Sequence, residues 1–133
     1  MTEIAAPVIV VERDLLFVSK IREPLKSAGQ PCIVAKSAGD VQTYLLQTPL
    51  PAAIVIRFGI DGVDWQQIIK DAHTAGVPVL AYGSHVDIAA QQAARAAGAT
   101  RVIANSKLTG NVLGQIQQTI DRIASTASDD DDA

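Results

Sequence analysis

Pro51–Asp64 has the sequence PAAIVIRFGIDGVD. Its first part, Ala52–Ile56, is apolar at every position and is followed by Arg57 and a loop that contains two glycines. A strand can be apolar throughout only when both faces of its sheet are covered, so this run predicts a central strand of a parallel sheet. Arg57 then stands at the carboxyl end of that strand, which is where open α/β sheets bind their ligands.

Apolar runs and helical periodicities alternate along the rest of the chain. Short apolar runs predict four further strands, at Pro7–Val11, Pro31–Ala35, Val77–Tyr82 and Arg101–Ala104. Apolar residues at helical spacing predict five helices. The first lies between its cap, Asp14, and Gly29, and Pro24 either kinks it or divides it into two pieces. The others are Asp40–Gln47, Trp65–Ala75, Ile88–Ala97 and, after a loop at Asn105–Lys107, a last helix over 112–123. Five strands alternating with five helices indicate an α/β protein with helices on both faces of a parallel sheet.

Length, charge and cysteine content narrow the class of protein further. The 133 residues suffice for one domain, predicted over residues 1–125 and followed by a disordered acidic tail over 126–133. Four of the 14 acidic residues are Asp129–Asp132, so the body carries 10 acids against 11 bases and has no nucleic-acid footprint. No apolar run could span a bilayer, the start does not resemble a signal peptide, and the single cysteine, Cys32, fits a cytoplasmic protein.

Four stretches resemble the receiver domains of bacterial response regulators. They are VIVVERD at the end of the first strand, AAIVIRF, VPVLAYGS, and AAGATRVIANS, which is similar to the AxGAxxYxxKP signature of the family. The resemblance extends from Pro7 to Ile123. It implies a three-layer, flavodoxin-like (βα)5 fold with the strand order 2-1-3-4-5.

The same resemblance implies a phosphoacceptor pocket in which most of the family's chemistry is missing. Receivers bind Mg²⁺ through an acidic pair after the first strand and an aspartate that ends the third strand and accepts the phosphoryl group. A hydroxyl after the fourth strand and a lysine after the fifth complete their pocket. Here the matching positions are Glu12 and Arg13 for the acidic pair, Arg57 for the aspartate, Gly83 with Ser84 beside it for the hydroxyl, and Asn105 for the lysine. Val102 replaces the aromatic residue of the last strand.

A pocket of this composition is unsuited to magnesium and to phosphorylation. Mg²⁺ needs several anionic oxygens, and an arginine neither forms an acyl phosphate nor loses its proton. Arg57 is expected to form an ion pair with Glu12 on the neighbouring strand. Two other arrangements remain open: Arg57 could extend into solvent, or Arg13 and Arg57 could converge with Asn105 and Ser84 around an anion. Asp61 and His85 are expected near the mouth of the pocket.

Three other patterns have ordinary structural explanations. Asp71, His73 and Gly76 have the spacing of a cobalamin-binding motif but close a helix, and no cofactor or metal is predicted from them. The Ser84–Asp87 loop contains the residue types of a catalytic triad, yet helix capping is the simpler interpretation. Tyr82 is expected in the core, with replacement of the missing aromatic switch as the alternative.

These observations predict a non-enzymatic receiver-like module of a two-component pathway that acts through protein contacts. The alternative is a module that binds a small anion or a nucleotide at the arginines; a weaker one is a phosphorelay receiver that uses Asp61 or Asp64. The partner is expected to be another signalling protein or a second copy of the chain. The alanine-rich fourth helix and its neighbourhood offer the contact surface, with the candidate residues Ala90, Ala94, Arg95, Arg101 and Lys107.

Overall fold

The structure is a computed structural model that describes residues 5–129, with side chains described over residues 5–123. Its strands are β1 (Val8–Val11), β2 (Cys32–Ala35), β3 (Ala53–Arg57), β4 (Val79–Gly83) and β5 (Arg101–Ala104). Its helices are α1 (Leu15–Ser27), α2 (Ala38–Leu45), α3 (Trp65–Thr74), α4 (Ile88–Ala97), α5 (Asn105–Gly110) and α6 (Val112–Asp129).

The five strands form one parallel sheet in the order β2-β1-β3-β4-β5, as predicted. The register places Val11 beside Ile56 and Arg57 beside Tyr82, so the carboxyl ends of β1, β3 and β4 lie next to one another. The change of direction in strand order falls between β1 and β3. Glu12 and Arg57 therefore emerge side by side at the point where ligands bind in sheets of this kind.

Alternating residues of the central strands supply two apolar layers, one on each face of the sheet. Ile9, Ile54 and Ile56 pack with α2, α3 and α4, whereas Val8, Val10 and Val55 pack with α1, α5 and α6. These strand residues are at most 1% exposed, which is the burial on both faces that their uniformly apolar sequence predicts.

Local capping sets most helix ends at the predicted places. Asp14, Asp64 and Asp87 accept backbone N–H groups at the starts of α1, α3 and α4, and Gly98 ends α4 with a φ of 108°. Pro24 lies within a single helix, so the division of α1 into two pieces is wrong. The strand predicted at 77–82 begins two residues later, at Val79, and ends one residue later, at Gly83.

The region after β5 differs most from the prediction. The predicted loop Asn105–Lys107 is the start of the short helix α5, which gives six helices in the described part of the chain. Leu108, fully buried, anchors this turn against β4 and the α6 side of the core. The backbone of α6 continues to Asp129 because neither proline nor glycine interrupts it after Gly114. The tail predicted at 126–133 begins within this helix, and its residues 130–133 lie outside the described residues.

The length and composition of the helices show whether any of them could cross a membrane. Within the described residues, no helix combines the length and the apolar character that crossing a bilayer requires.

Candidate functional site

Glu12 directly follows β1, and its carboxylate is almost completely buried, with 2% of the side chain exposed. Its Oε2 accepts the backbone N–H groups of Arg13 at 2.9 Å and Asp14 at 3.2 Å. Its Oε1 accepts two side-chain donors, Arg57 and Tyr82. A buried carboxylate is tolerated only when its oxygens are paired in this way, and here both oxygens are each engaged twice.

Arg57 makes the predicted ion pair with Glu12. Its Nε lies 2.6 Å from Oε1 of Glu12, and its Nη1 donates to Oδ1 of Asn105 at 3.2 Å. With 23% of its side chain exposed, the guanidinium spans the gap between β1 and the start of α5. The alternative in which Arg57 extends freely into solvent is therefore wrong.

Tyr82 completes the cluster, and sequence reasoning missed this role. Its ring is fully buried and its hydroxyl donates to Oε1 of Glu12 at 2.7 Å. The ring stacks on Phe17 of α1 with centroids 5.2 Å apart and planes 7° from parallel. The Cζ of Arg57 lies 4.6 Å from the Phe17 centroid and 5.0 Å from the Tyr82 centroid, so the two rings also contact the cation.

A signal for Tyr82 was present in the sequence. A tyrosine inside a buried strand needs a partner for its hydroxyl, and the strand order places Tyr82 beside Arg57. Phe17 gave no such signal, because a helical phenylalanine is usually explained by the core alone. Burial, and then the hydrogen bond that the hydroxyl donates to Glu12 and the negative charge of Glu12, raise the pKa of Tyr82 above its usual value, so the phenol stays protonated.

Phe58 fills the space beside Gly83, the position that matches the hydroxyl residue of receivers. Phe58 is 4% exposed, and a Cβ added at Gly83 would lie 2.5 Å from its Cε1. No side chain fits at Gly83 while the ring stays where it is. The hydroxyl of the neighbouring Ser84 is used locally, accepting the N–H of Val86 at 3.3 Å.

The two arginines of the predicted anion site have different partners. Nη1 of Arg13 donates to the backbone carbonyl of Asp61 at 2.9 Å and lies against Gly62, which has a φ of 76°. Arg57 is committed to Glu12 and Asn105. The structure therefore does not bring Arg13 and Arg57 together on a common anion, and the carboxylate of Asp61 is exposed at the rim.

The remaining candidate patterns have structural roles. The Ser84–Asp87 loop caps α4, with Asp87 accepting the N–H of Ala90, and His85 is exposed. Asp71 of α3 accepts the side-chain amide of Gln42 on α2, which joins the two helices, and that of Gln67 within α3, while His73 packs against Gly98. Within the described residues, no three His, Cys, Asp or Glu side chains are grouped so that they could hold a metal ion.

The predicted contact surface on α4 needs a correction. Ala94 is fully buried in the core and cannot contact a partner, and Ala90 is partly buried against the same core. Ala89 and Ala96 are the exposed alanines, because they lie on the side of the helix turned away from the sheet. Arg95 and Lys107 are exposed as expected; the partly buried Arg101 donates instead to the backbone carbonyl of Gln115 at 3.0 Å.

Solved structures that are similar to this chain include the following three. The receiver domain protein (CheY-like) of Methanospirillum hungatei is 14% identical, with a TM-score of 0.75 over 92% of this chain and 98% of that one. The receiver domain protein of Clostridium thermocellum is 15% identical, with a TM-score of 0.72 over 88% and 95%. NtrX of Brucella abortus is 14% identical, with a TM-score of 0.78 over 98% of this chain but 30% of that one.

Comparison by sequence, unlike comparison by structure, finds no similar protein. No family model matches the sequence, and no curated protein matches it. Likenesses at this level of identity identify the fold alone. The chain has the fold of the receiver domains of response regulators.

Proposed function

We propose that this chain is a receiver-like signalling module that is not phosphorylated and that acts through contacts with other proteins in a two-component pathway. The proposal includes a bacterial, cytoplasmic setting, which the resemblance to receivers suggests. It assigns the module no enzymatic activity.

The state of Glu12 carries the proposal. In a receiver, this position contributes oxygen ligands to a magnesium ion. Here one oxygen accepts two backbone N–H groups and the other accepts Arg57 and Tyr82. A metal would have to displace the guanidinium, and the electrostatic repulsion between the two cations opposes that exchange.

Two further features support the same proposal. Arg57 stands at the position of the phosphoacceptor and has no carboxylate to phosphorylate. Phe58 occupies the volume beside Gly83 that a hydroxyl side chain would need. The cluster is held by its own ion pair and aromatic stack, so it resembles a fixed structural element more than an empty binding site.

Phosphodonor treatment tests the proposal directly. We expect the intact mass to stay unchanged after incubation with acetyl phosphate and Mg²⁺, under conditions that phosphorylate a conventional receiver in a parallel sample. Beryllofluoride with Mg²⁺ should leave the amide NMR signals of Arg13 and Asn105 in place. A gain of one phosphoryl mass, or saturable Mg²⁺ binding at Glu12, would contradict the proposal.

We place the protein contact on the exposed side of α4 together with Arg95 and Lys107. Ala89 and Ala96 present little side chain, so a partner's backbone can approach closely at small entropic cost. Ala89→Glu should reduce self-association in sedimentation velocity if the partner is a second copy. The matched change on exposed Gln66 of α3, Gln66→Glu, should not. Equal sedimentation of both variants and the parent over a hundredfold concentration range would exclude a homodimer through this surface.

A further inference from the structure

Along the outer edge of β2, backbone N–H and C=O groups form no hydrogen bonds to another strand among the described residues. Among residues 5–129, β2 pairs with β1 alone. The N–H of Val8 donates to the carbonyl of Pro31 at 2.9 Å, and Val8 is the register partner of Cys32. In a parallel ladder, this arrangement directs the backbone groups of Ile33 and Ala35 towards β1. The N–H and C=O groups of Cys32 and Val34 consequently face outwards.

Grooves flank this edge on both faces of the sheet. On the α1 side, a groove of about 720 Å³ runs past Cys32 and is bordered by Leu15, Arg22 and Lys26. On the α2 side, two smaller cavities of about 250 and 400 Å³ are lined by Val34 and by Ile33, respectively. The helix α2 has eight residues and leaves this side of β2 partly uncovered. Side chains of an added strand, which alternate between the two faces, would find space on both.

The opposite edge of the sheet is protected in a way that β2 is not. At the edge strand β5, Arg101 introduces a charged side chain, and its guanidinium is fixed to the carbonyl of Gln115. Charged residues on edge strands are a common protection against unwanted pairing. The four residues of β2 are Cys, Ile, Val and Ala, without charge or proline.

Charge around the β2 edge selects the kind of strand that fits. Three basic side chains lie around this edge, Arg22 and Lys26 on α1 and Lys36 at the end of β2. They outnumber the two acids that line the flanking grooves, Glu23 on α1 and Asp40 on α2. Antiparallel pairing with a second copy would bring two such basic borders together, which is unfavourable. A segment that carries acidic side chains is attracted instead. Leu15, which is 81% exposed beside the groove, adds apolar contact area.

We propose that the outer edge of β2 binds an extended, acidic segment of a partner protein, which joins the sheet as a sixth strand through the backbone of Cys32 and Val34. This mode of recognition gives affinity through main-chain hydrogen bonds and specificity through alternate side chains. The inference does not depend on whether the module is phosphorylated, because β2 contributes no residue to the Glu12 cluster.

Defined peptides test the proposal. We use a fluorescent eight-residue peptide that alternates valine with glutamate, and a matched peptide that alternates valine with lysine. Fluorescence anisotropy should show that the glutamate peptide binds at least about tenfold more tightly than the lysine peptide. On binding, hydrogen exchange at the amides of Cys32 and Val34 should slow, while the amides of Ile33 and Ala35, already bonded to β1, should change little.

A proline at Val34 is the sharpest variant. Val34→Pro removes an outward N–H and leaves the bonds to β1 intact, since edge strands tolerate proline at such positions. It should weaken the glutamate peptide about tenfold, whereas Val34→Ala, which keeps the N–H, should weaken it less. Arg22→Glu should reduce the preference for glutamate over lysine.

Four results would overturn the proposal. They are equal binding of the two peptides, no binding of the glutamate peptide at millimolar concentration, unchanged affinity in a folded Val34→Pro variant, and pairing of β2 with a second copy. Should Val34→Pro fail to fold, the exchange pattern of Cys32 and Val34 in the parent protein still decides the question.

Discussion

The carboxyl end of β1 and the outer edge of β2 lie on neighbouring strands, but their polar groups differ in whether they have hydrogen-bond partners within the chain. Around Glu12, both carboxylate oxygens have two donors each, and Tyr82 and Arg57 are fixed by stacking and by an ion pair. Along β2, the outward backbone groups have no partner among the described residues. The polar groups of the Glu12 cluster, which we call the closed site, are therefore used by the chain's own side chains and backbone. The backbone groups on the outer side of β2, which we call the open edge, remain available to another protein.

The largest effect is expected from reversing the charge at the closed site. Arg57→Asp places a second carboxylate beside buried Glu12 and should lower the free energy of unfolding by about 3–5 kcal/mol. Arg57→Met removes the cation without adding an anion and should cost about 2 kcal/mol, because three donors still satisfy Glu12. Urea denaturation measures both. Equal stability of these two variants would mean that a carboxylate at position 57 does not interact with Glu12.

A neutral residue at position 12 gives a smaller loss. Glu12→Gln keeps the shape but turns an NH₂ group towards groups that are themselves donors, so it should destabilise by about 1–3 kcal/mol. The exposed Glu23→Gln change serves as the control and should stay within about 0.5 kcal/mol of the parent. If both glutamines behave alike, the closed site contributes nothing to stability.

Overpacking at Gly83 should cost a similar amount. The added side chain in Gly83→Ser meets the ring of Phe58, which should lower stability by about 1–3 kcal/mol. Gly110→Ser is the matched control because a Cβ there meets open space. Phe58→Leu combined with Gly83→Ser should recover part of the loss in thermal denaturation. Absence of such recovery would show that the clash lies elsewhere.

Tyr82→Phe should produce a small loss at neutral pH and a clear change at alkaline pH. Without the hydroxyl, Glu12 loses one donor, at a cost of about 1 kcal/mol. The pKa of Tyr82 is raised by folding, so its contribution is complete below about pH 10, the pKa of an unfolded tyrosine, and falls as the pH rises further. The stability advantage of the parent over Tyr82→Phe should therefore shrink as the pH rises above about 10. A difference between the two proteins that stays constant as the pH rises would contradict this role of the hydroxyl.

The smallest expected effect is a difference in the hydrogen-exchange rates of individual amides in the unmodified protein. Along β2, the amides of Cys32 and Val34 should exchange faster than that of Ile33, because only the latter donates to β1. The amide of Arg13 lies beyond the end of β1, yet Glu12 should protect it. NMR-detected exchange resolves each amide. Uniform exchange along β2 would remove the distinction between the closed site and the open edge.

Local sequence signals predicted much of the fold. The central strand stands out because every residue from Ala53 to Ile56 is buried and apolar. The bounds of α4 follow from Asp87 and Gly98, whose capping roles depend on their own side chain or backbone. The short helix α5 was missed because its polar residues lack helical periodicity and Leu108 alone reaches the core.

The candidate site was predicted in part, since a parallel sheet places neighbouring strand ends together. That rule alone pairs Glu12 with Arg57. The contribution of Phe17 depends on how a helix packs on the sheet, and that information is not contained in short stretches of sequence. Tyr82 lay between these cases: its burial was predicted, but the partner of its hydroxyl required the register of β3 and β4.

The packing of Phe58 over Gly83 constrains the introduction of the receiver's phosphoacceptor residues into this chain. Aspartate introduced at position 57 alone would face Glu12 without a cation, and a hydroxyl introduced at position 83 alone would meet the aromatic ring. Each single change costs stability before it restores any chemistry, so the substitutions must be made together. If the chain is not phosphorylated, as we propose, then restoring a phosphoacceptor requires several substitutions at once, because each single substitution is destabilising by itself.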